Sequence, residues 1–202
     1  PASSNVFAAD PSKAFFERFS LIWAPISMVT LLVGLFGTGL YTQCGRDEYL
    51  AVSLLICLPG IVYPVLFPDP CDSGRPYADR FWVKASIWIA IFSFYGNYFW
   101  THYFYTILGA EYRFDSYLFN NVPVVTYLCT FFYFTFYFSF INVTLRAVKR
   151  YISSIPFASS AVHSFFGSVL WILSIFVAAV GTAIFEAVSI LHFPLYTYKD
   201  RF

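Results

Sequence analysis

Long, nearly uninterrupted apolar runs dominate the chain, and short polar segments punctuate them. A helix that crosses a bilayer needs about 20 mostly apolar residues, because hydrocarbon cannot satisfy an exposed backbone. Five stretches meet that requirement: 19–41, 50–67, 85–109, 124–143 and 161–193. The second holds Pro59 and Pro64, which predicts a kinked helix. The fifth is long enough that it must tilt, bend or extend past the bilayer. The pattern predicts an all-α integral membrane protein, a bundle of about five transmembrane helices. Residues 1–18 form an N-terminal segment and 19–202 a single polytopic membrane domain.

Composition sharpens this reading. Hydrophobic residues make up 59% of the chain, aromatics 23% and charged residues only 11%. Those charges are too few to clothe a soluble surface. A formal net charge of +1 supplies no basic field for nucleic acid. The 26 Phe and 16 Tyr exclude a disordered chain.

Charge asymmetry between the connecting segments gives an orientation. Lys13, Arg18, Arg75, Arg80, Lys84, Arg146, Lys149 and Arg150 fall on one side of the predicted bundle. Arg46, Arg113, Lys199 and Arg201 fall on the other. The positive-inside rule then puts the N-terminus on the cytosolic side or its topological equivalent. Cys44 and Cys71 lie at opposite faces and cannot pair. Cys57 and Cys129 read as buried small hydrophobes, and no Cys/His spacing suggests a metal. The acceptor triplet Asn142-Val143-Thr144 falls at the positively biased end of span four and reads as unused.

Polar groups inside spans are costly and are therefore candidates for function. Ser93, Asn97 and Thr101 recur at i, i+4 and i+8 in span three, a stripe on one helix face. It serves either interhelical hydrogen bonding or a polar cavity for a hydroxylated lipid. His102 adjoins it, and His163, Glu186 and His192 lie in span five. A carboxyl held in an apolar pocket is a general-acid candidate; the alternative is a neutral acid hydrogen-bonded to a neighbour. The run FFYFTFYFSF in span four offers rings to helices, lipid or a flat apolar ligand.

The segment DRFWVKASIWIAIFSFYGNYFWTHYFYTILG at 79–109, followed by NNVP at 120–123, closely resembles the cycloeucalenol cycloisomerase family of plant and algal membrane enzymes. The similarity extends to DPSK at 10–13, EYL at 48–50, NVTLR at 142–146, Glu186 and FPLYTYKDR at 193–201. The resemblance implies cofactor-free acid–base opening of a 9β,19-cyclopropane ring in a sterol precursor, giving a Δ8 sterol. It implies His102 and Glu186 as acid/base residues. Asn97 and Tyr98 would orient substrate, in a pocket shared with Ser93 and Thr101.

The family pattern also carries three histidines at heptad spacing after NNVP, a single helix face. Val124, Phe131 and Phe138 stand at those positions here. The pattern continues past the KDR equivalent with further hydrophobic spans. Weighed together, these features lead us to expect a non-catalytic relative. It would act as a structural, lipid- or pigment-binding accessory subunit of a larger membrane complex, contacting membrane lipids and other membrane-protein subunits. A thylakoid photosystem assembly of an alga is the specific expectation, with chlorophyll and carotenoid as ligands and His102, His163 and His192 as magnesium ligands. The alternative is an active sterol isomerase, with the endoplasmic reticulum as the alternative membrane.

Overall fold

A computed structural model describes residues 6–156, 160–191 and 195–198. Helix α1 (Pro11–Val29) starts with Asp10 as N-cap, whose side chain accepts the Lys13 N–H at 3.3 Å, and with Pro11 at the first turn. It continues as a π-helical segment, Thr30–Gly37. Helix α2 (Arg46–Leu66) contains both Pro59 and Pro64, each removing a backbone donor. Helix α3 (Phe81–Tyr95) runs through a π-helical segment, Gly96–Thr101, into α4 (His102–Thr106). Helices α5 (Val124–Ser154) and α6 (Ser160–Leu191) complete the bundle.

The chain is thus all-helical in its membrane part, as expected. Four of its helices, spanning Pro11–Gly37, Arg46–Leu66, Val124–Ser154 and Phe165–Val188, are long and apolar enough to cross a membrane. The α3–α4 rod is a fifth continuous helical passage, its hydropathy lowered by Lys84, Ser93, Asn97 and several Tyr and Trp. Helix boundaries differ from the apolar runs mainly at polar ends. α1 begins two turns before Phe19, and α5 continues past Val143 to Ser154. Amphipathic turns that carry charge outward extend a helix without extending its apolar run.

Helix α5 is the hub, with α1, α2, α3 and α6 all packed on it. Trp23 stacks on Phe19 (5.8 Å) and meets Phe132 edge-on (5.9 Å), in a core with Ala24, Ile56 and Cys57. A second core joins Phe16, Trp82, Ala85 and Ile89 to Phe131, Phe134 and Phe138. The heptad positions 131 and 138 therefore face the α1/α3 contact. Gly60 makes the α1/α2 approach possible: a Cβ there would sit 2.3 Å from Trp23 Cη2. Gly60→Val should cost about 1–3 kcal/mol through overpacking. A lowered unfolding midpoint in detergent, partly restored by adding Trp23→Phe, checks this; an unchanged midpoint contradicts it.

Two polar belts mark opposite ends of the bundle. At the N-terminal end, Ser12 Oγ donates to buried Asp72 (3.1 Å) and accepts the Phe81 N–H (3.0 Å). At the other end, Arg46 pairs with Asp115 (2.9 Å) and the Tyr117 hydroxyl donates to Asp47 (2.8 Å). There β1 (Ala110–Tyr112) pairs antiparallel with β4 (Tyr196–Tyr198). Cys71 sits beside the first belt, and Cys44 packs near Leu35, Tyr49 and Leu195 at the second.

Burial and the neighbouring Asp69 push the Cys71 thiol up to about 11, so the reactive thiolate is scarce at neutral pH. In oriented vesicles, an impermeant thiosulfonate should label Cys71 and Cys44 from opposite sides. Cys71 labelling should rise about tenfold per pH unit up to its pKa. Labelling of both from one side would refute the alternation of ends.

Candidate functional site

A cleft of about 470 Å³ opens between the α3–α4 rod, α5 and α6. The rod contributes Gly96, Asn97, Trp100, Thr101, Phe104 and Tyr105; α5 contributes Thr130, Tyr133 and Phe134; α6 contributes Glu186. Its volume falls within the range of small-molecule sites, and its walls are rings with a few polar tips. Four of the rod's cleft residues, Gly96, Asn97, Trp100 and Thr101, lie in its π-helical segment. Widened turns of this kind recur at functional sites.

Asn97 is buried, its Nδ2 donating to the Ser93 carbonyl (2.9 Å) and its Oδ1 accepting from Thr101 (3.3 Å). Ser93 is buried beneath them, and its Oγ finds no hydrogen-bond partner among the described residues. Three residues singled out in sequence, Asn97, Thr101 and Glu186, thus meet in one cleft, with Ser93 supporting it from below.

His102 and Tyr98 are placed differently. The strands β2 (Leu118–Phe119) and β3 (Val122–Pro123) form a hairpin closed by Asn120 and Asn121. Both turn residues have positive φ (52° and 59°), which asparagine tolerates and a two-residue hairpin requires. Asn120 Nδ2 donates to the Tyr98 carbonyl (2.7 Å), and the Asn120 carbonyl lies 2.9 Å from His102 Nδ1. A carbonyl only accepts, so Nδ1 carries the proton. His102 is therefore tied to the NNVP turn rather than lining the cleft. The Tyr98 ring packs on Phe94 and Phe119. His192 lies outside the described residues, as does the His163 side chain.

Several residues of consequence escaped the sequence reading. On α5, Thr130 and Tyr133 line the cleft, and the Tyr137 hydroxyl donates to the Tyr133 hydroxyl. The polar tips at 130, 133 and 137 follow i, i+3, i+7 spacing, a signal hidden within the aromatic run. Glu17 is the most consequential of these, an acid that the apolar runs leave outside the predicted spans although it sits in a membrane-crossing helix. Glu17 is wholly buried in α1, where Arg146 grips both its oxygens (2.6 and 3.0 Å). It lies just before the apolar run at Phe19, which is why the run alone placed it outside. Asn142 of the acceptor triplet lies inside α5, its amide donating to the Phe138 carbonyl (2.7 Å).

Over 194 residues, covering 96% of this chain and 67% of the relative, the sequence is 37% identical to cycloeucalenol cycloisomerase of Arabidopsis thaliana. The chain belongs to the cycloeucalenol cycloisomerase family. No family model and no solved structure matches it. Membership together with the apolar helices makes it a sterol-isomerase-like membrane protein.

Proposed function

We propose that this chain binds a sterol-sized polycyclic lipid in the α3–α4/α5/α6 cleft and opens a cyclopropane ring by proton transfer from Glu186. One observation carries the reading: Glu186 stands in the wall of a cleft lined by Trp100, Phe104 and Phe134. Protonating a strained hydrocarbon creates a carbocation. Ring faces favour such a cation, and a carboxyl can supply the proton. Asn97 and Thr101 place polar atoms where a substrate hydroxyl can be held. The relative's name describes the same class of reaction.

The test is direct. The chain, reconstituted in lipid nanodiscs, is given a 9β,19-cyclopropyl sterol, and ring-opened Δ8 product is followed by mass spectrometry. Bound sterol without product would overturn the catalytic reading.

A second reading is the accessory subunit, and the outer face of α6 favours it. Helix α6 packs mainly on α5, and its apolar stretch Phe165–Val188 has no buried residue. The rings at 131 and 138 in place of histidines point the same way. In this reading the chain binds lipid, chlorophyll or carotenoid within a larger assembly such as a photosystem. Native-gel separation with absorbance and mass spectrometry distinguishes the two: co-migrating pigment and subunits support it, and a small colourless band removes it.

A further inference from the structure

Ring opening needs two proton transfers at different carbons, and a single carboxyl accounts for the first. We propose that Tyr133, held by Tyr137, is the second proton-handling group of the cleft. It takes the proton leaving the substrate and returns its own phenolic proton to Glu186. This rests on the reading of Glu186 as the proton donor.

The geometry singles out Tyr133. The titratable residues lining the cleft are Tyr105, Tyr133 and Glu186. Tyr133 is the one whose hydroxyl receives a hydrogen bond from a second phenol, Tyr137, one helical turn further along α5. The two rings meet edge-on with centroids 4.3 Å apart, which fixes the oxygens together. Tyr133 and Glu186 line the same cleft, one from α5 and the other from α6. A phenolic oxygen that accepts such a bond can still donate its own proton. It is also stabilised while that proton is in transit.

The step balances. The Glu186 carboxyl gives its proton to the cyclopropane methylene as the bond from methylene to ring carbon breaks. The electrons of that bond form the new C–H bond and leave a cation on the ring carbon. The adjacent carbon loses its proton to the Tyr133 oxygen, and the released C–H pair becomes the ring double bond. Tyr133 passes its original proton to the Glu186 carboxylate. Both residues end as they began, and no oxidant or reductant enters.

Tyr133→Phe and Tyr137→Phe in the nanodisc assay test this. Tyr133→Phe should lower kcat about 100-fold or more. Its KM should stay within about threefold, because the ring still packs. Tyr137→Phe, which removes only the positioning bond, should cost about tenfold in kcat. The second readout uses substrate carrying deuterium on the carbon that loses its proton. Removing the acceptor makes that loss rate-limiting, so the isotope effect on kcat should grow in Tyr133→Phe, a change that a packing role would not produce. An active wild type with an unchanged Tyr133→Phe, or one altered in KM alone, overturns the proposal. A wild type that binds sterol without converting it overturns the Glu186 reading and this step with it.

Discussion

Glu186→Gln should abolish most ring opening, lowering kcat by about 10²–10⁴-fold while the chain still folds and binds sterol. Glutamine keeps the shape and a hydrogen-bonding tip but has no proton to give to a hydrocarbon. Glu186→Asp should retain measurable turnover. It keeps the acid and withdraws it by one methylene, a displacement of the size that costs about 10²-fold when a reacting group is misplaced. Sterol affinity, read by quenching of tryptophan fluorescence with Trp100 in the cleft wall, should change little in either variant. Turnover of Glu186→Gln at the wild-type rate would remove the carboxyl from the mechanism. Loss of sterol binding in that variant would instead make Glu186 a recognition group. His102 provides a contrast. Its Nδ1 is committed to the Asn120 carbonyl, so His102→Gln should act through the position of the NNVP turn.

How much of this was legible before the structure follows from what each signal depends on. The apolar runs depend on bilayer thickness, and they located all five helical passages with errors only at the ends. The stripe of Ser93, Asn97 and Thr101 depends on helical period alone, and two of its members do reach the cleft. Pairing across helices has no such local signal. Nothing in the neighbourhood of Glu17 announces Arg146, which is 129 residues away. Tyr133 was masked because a run in which almost every residue is aromatic has no polar period that stands out. The role of His102 depended on a turn in which two asparagines adopt positive φ. The NNVP motif was visible, but its contact with His102 is a property of the folded turn.

The Glu17–Arg146 pair should dominate stability as Glu186 dominates chemistry. Glu17 is fully buried and Arg146 mostly so, with the guanidinium seated on both carboxylate oxygens. The same oxygen that accepts from Arg146 Nη1 also accepts the Ala8 N–H at 2.9 Å, and Nη1 donates further to the Val6 carbonyl at 2.9 Å. The pair therefore ties α1, α5 and the segment before α1 at one point. Removing one partner strands a charge in a site built for two, so Glu17→Ala or Arg146→Ala should each cost about 3–5 kcal/mol. The double replacement Glu17→Met with Arg146→Met strands nothing and should lie much closer to wild type, since apolar side chains of similar volume often replace a buried pair at little cost. Equilibrium unfolding in a mild detergent of wild type, Glu17→Met, Arg146→Met and the double replacement, arranged as a double-mutant cycle, separates these cases. A coupling energy near zero would mean that the two residues pack independently. Protease access to the segment around Val6 should rise in Arg146→Ala, because its carbonyl loses the donor that holds it to α5.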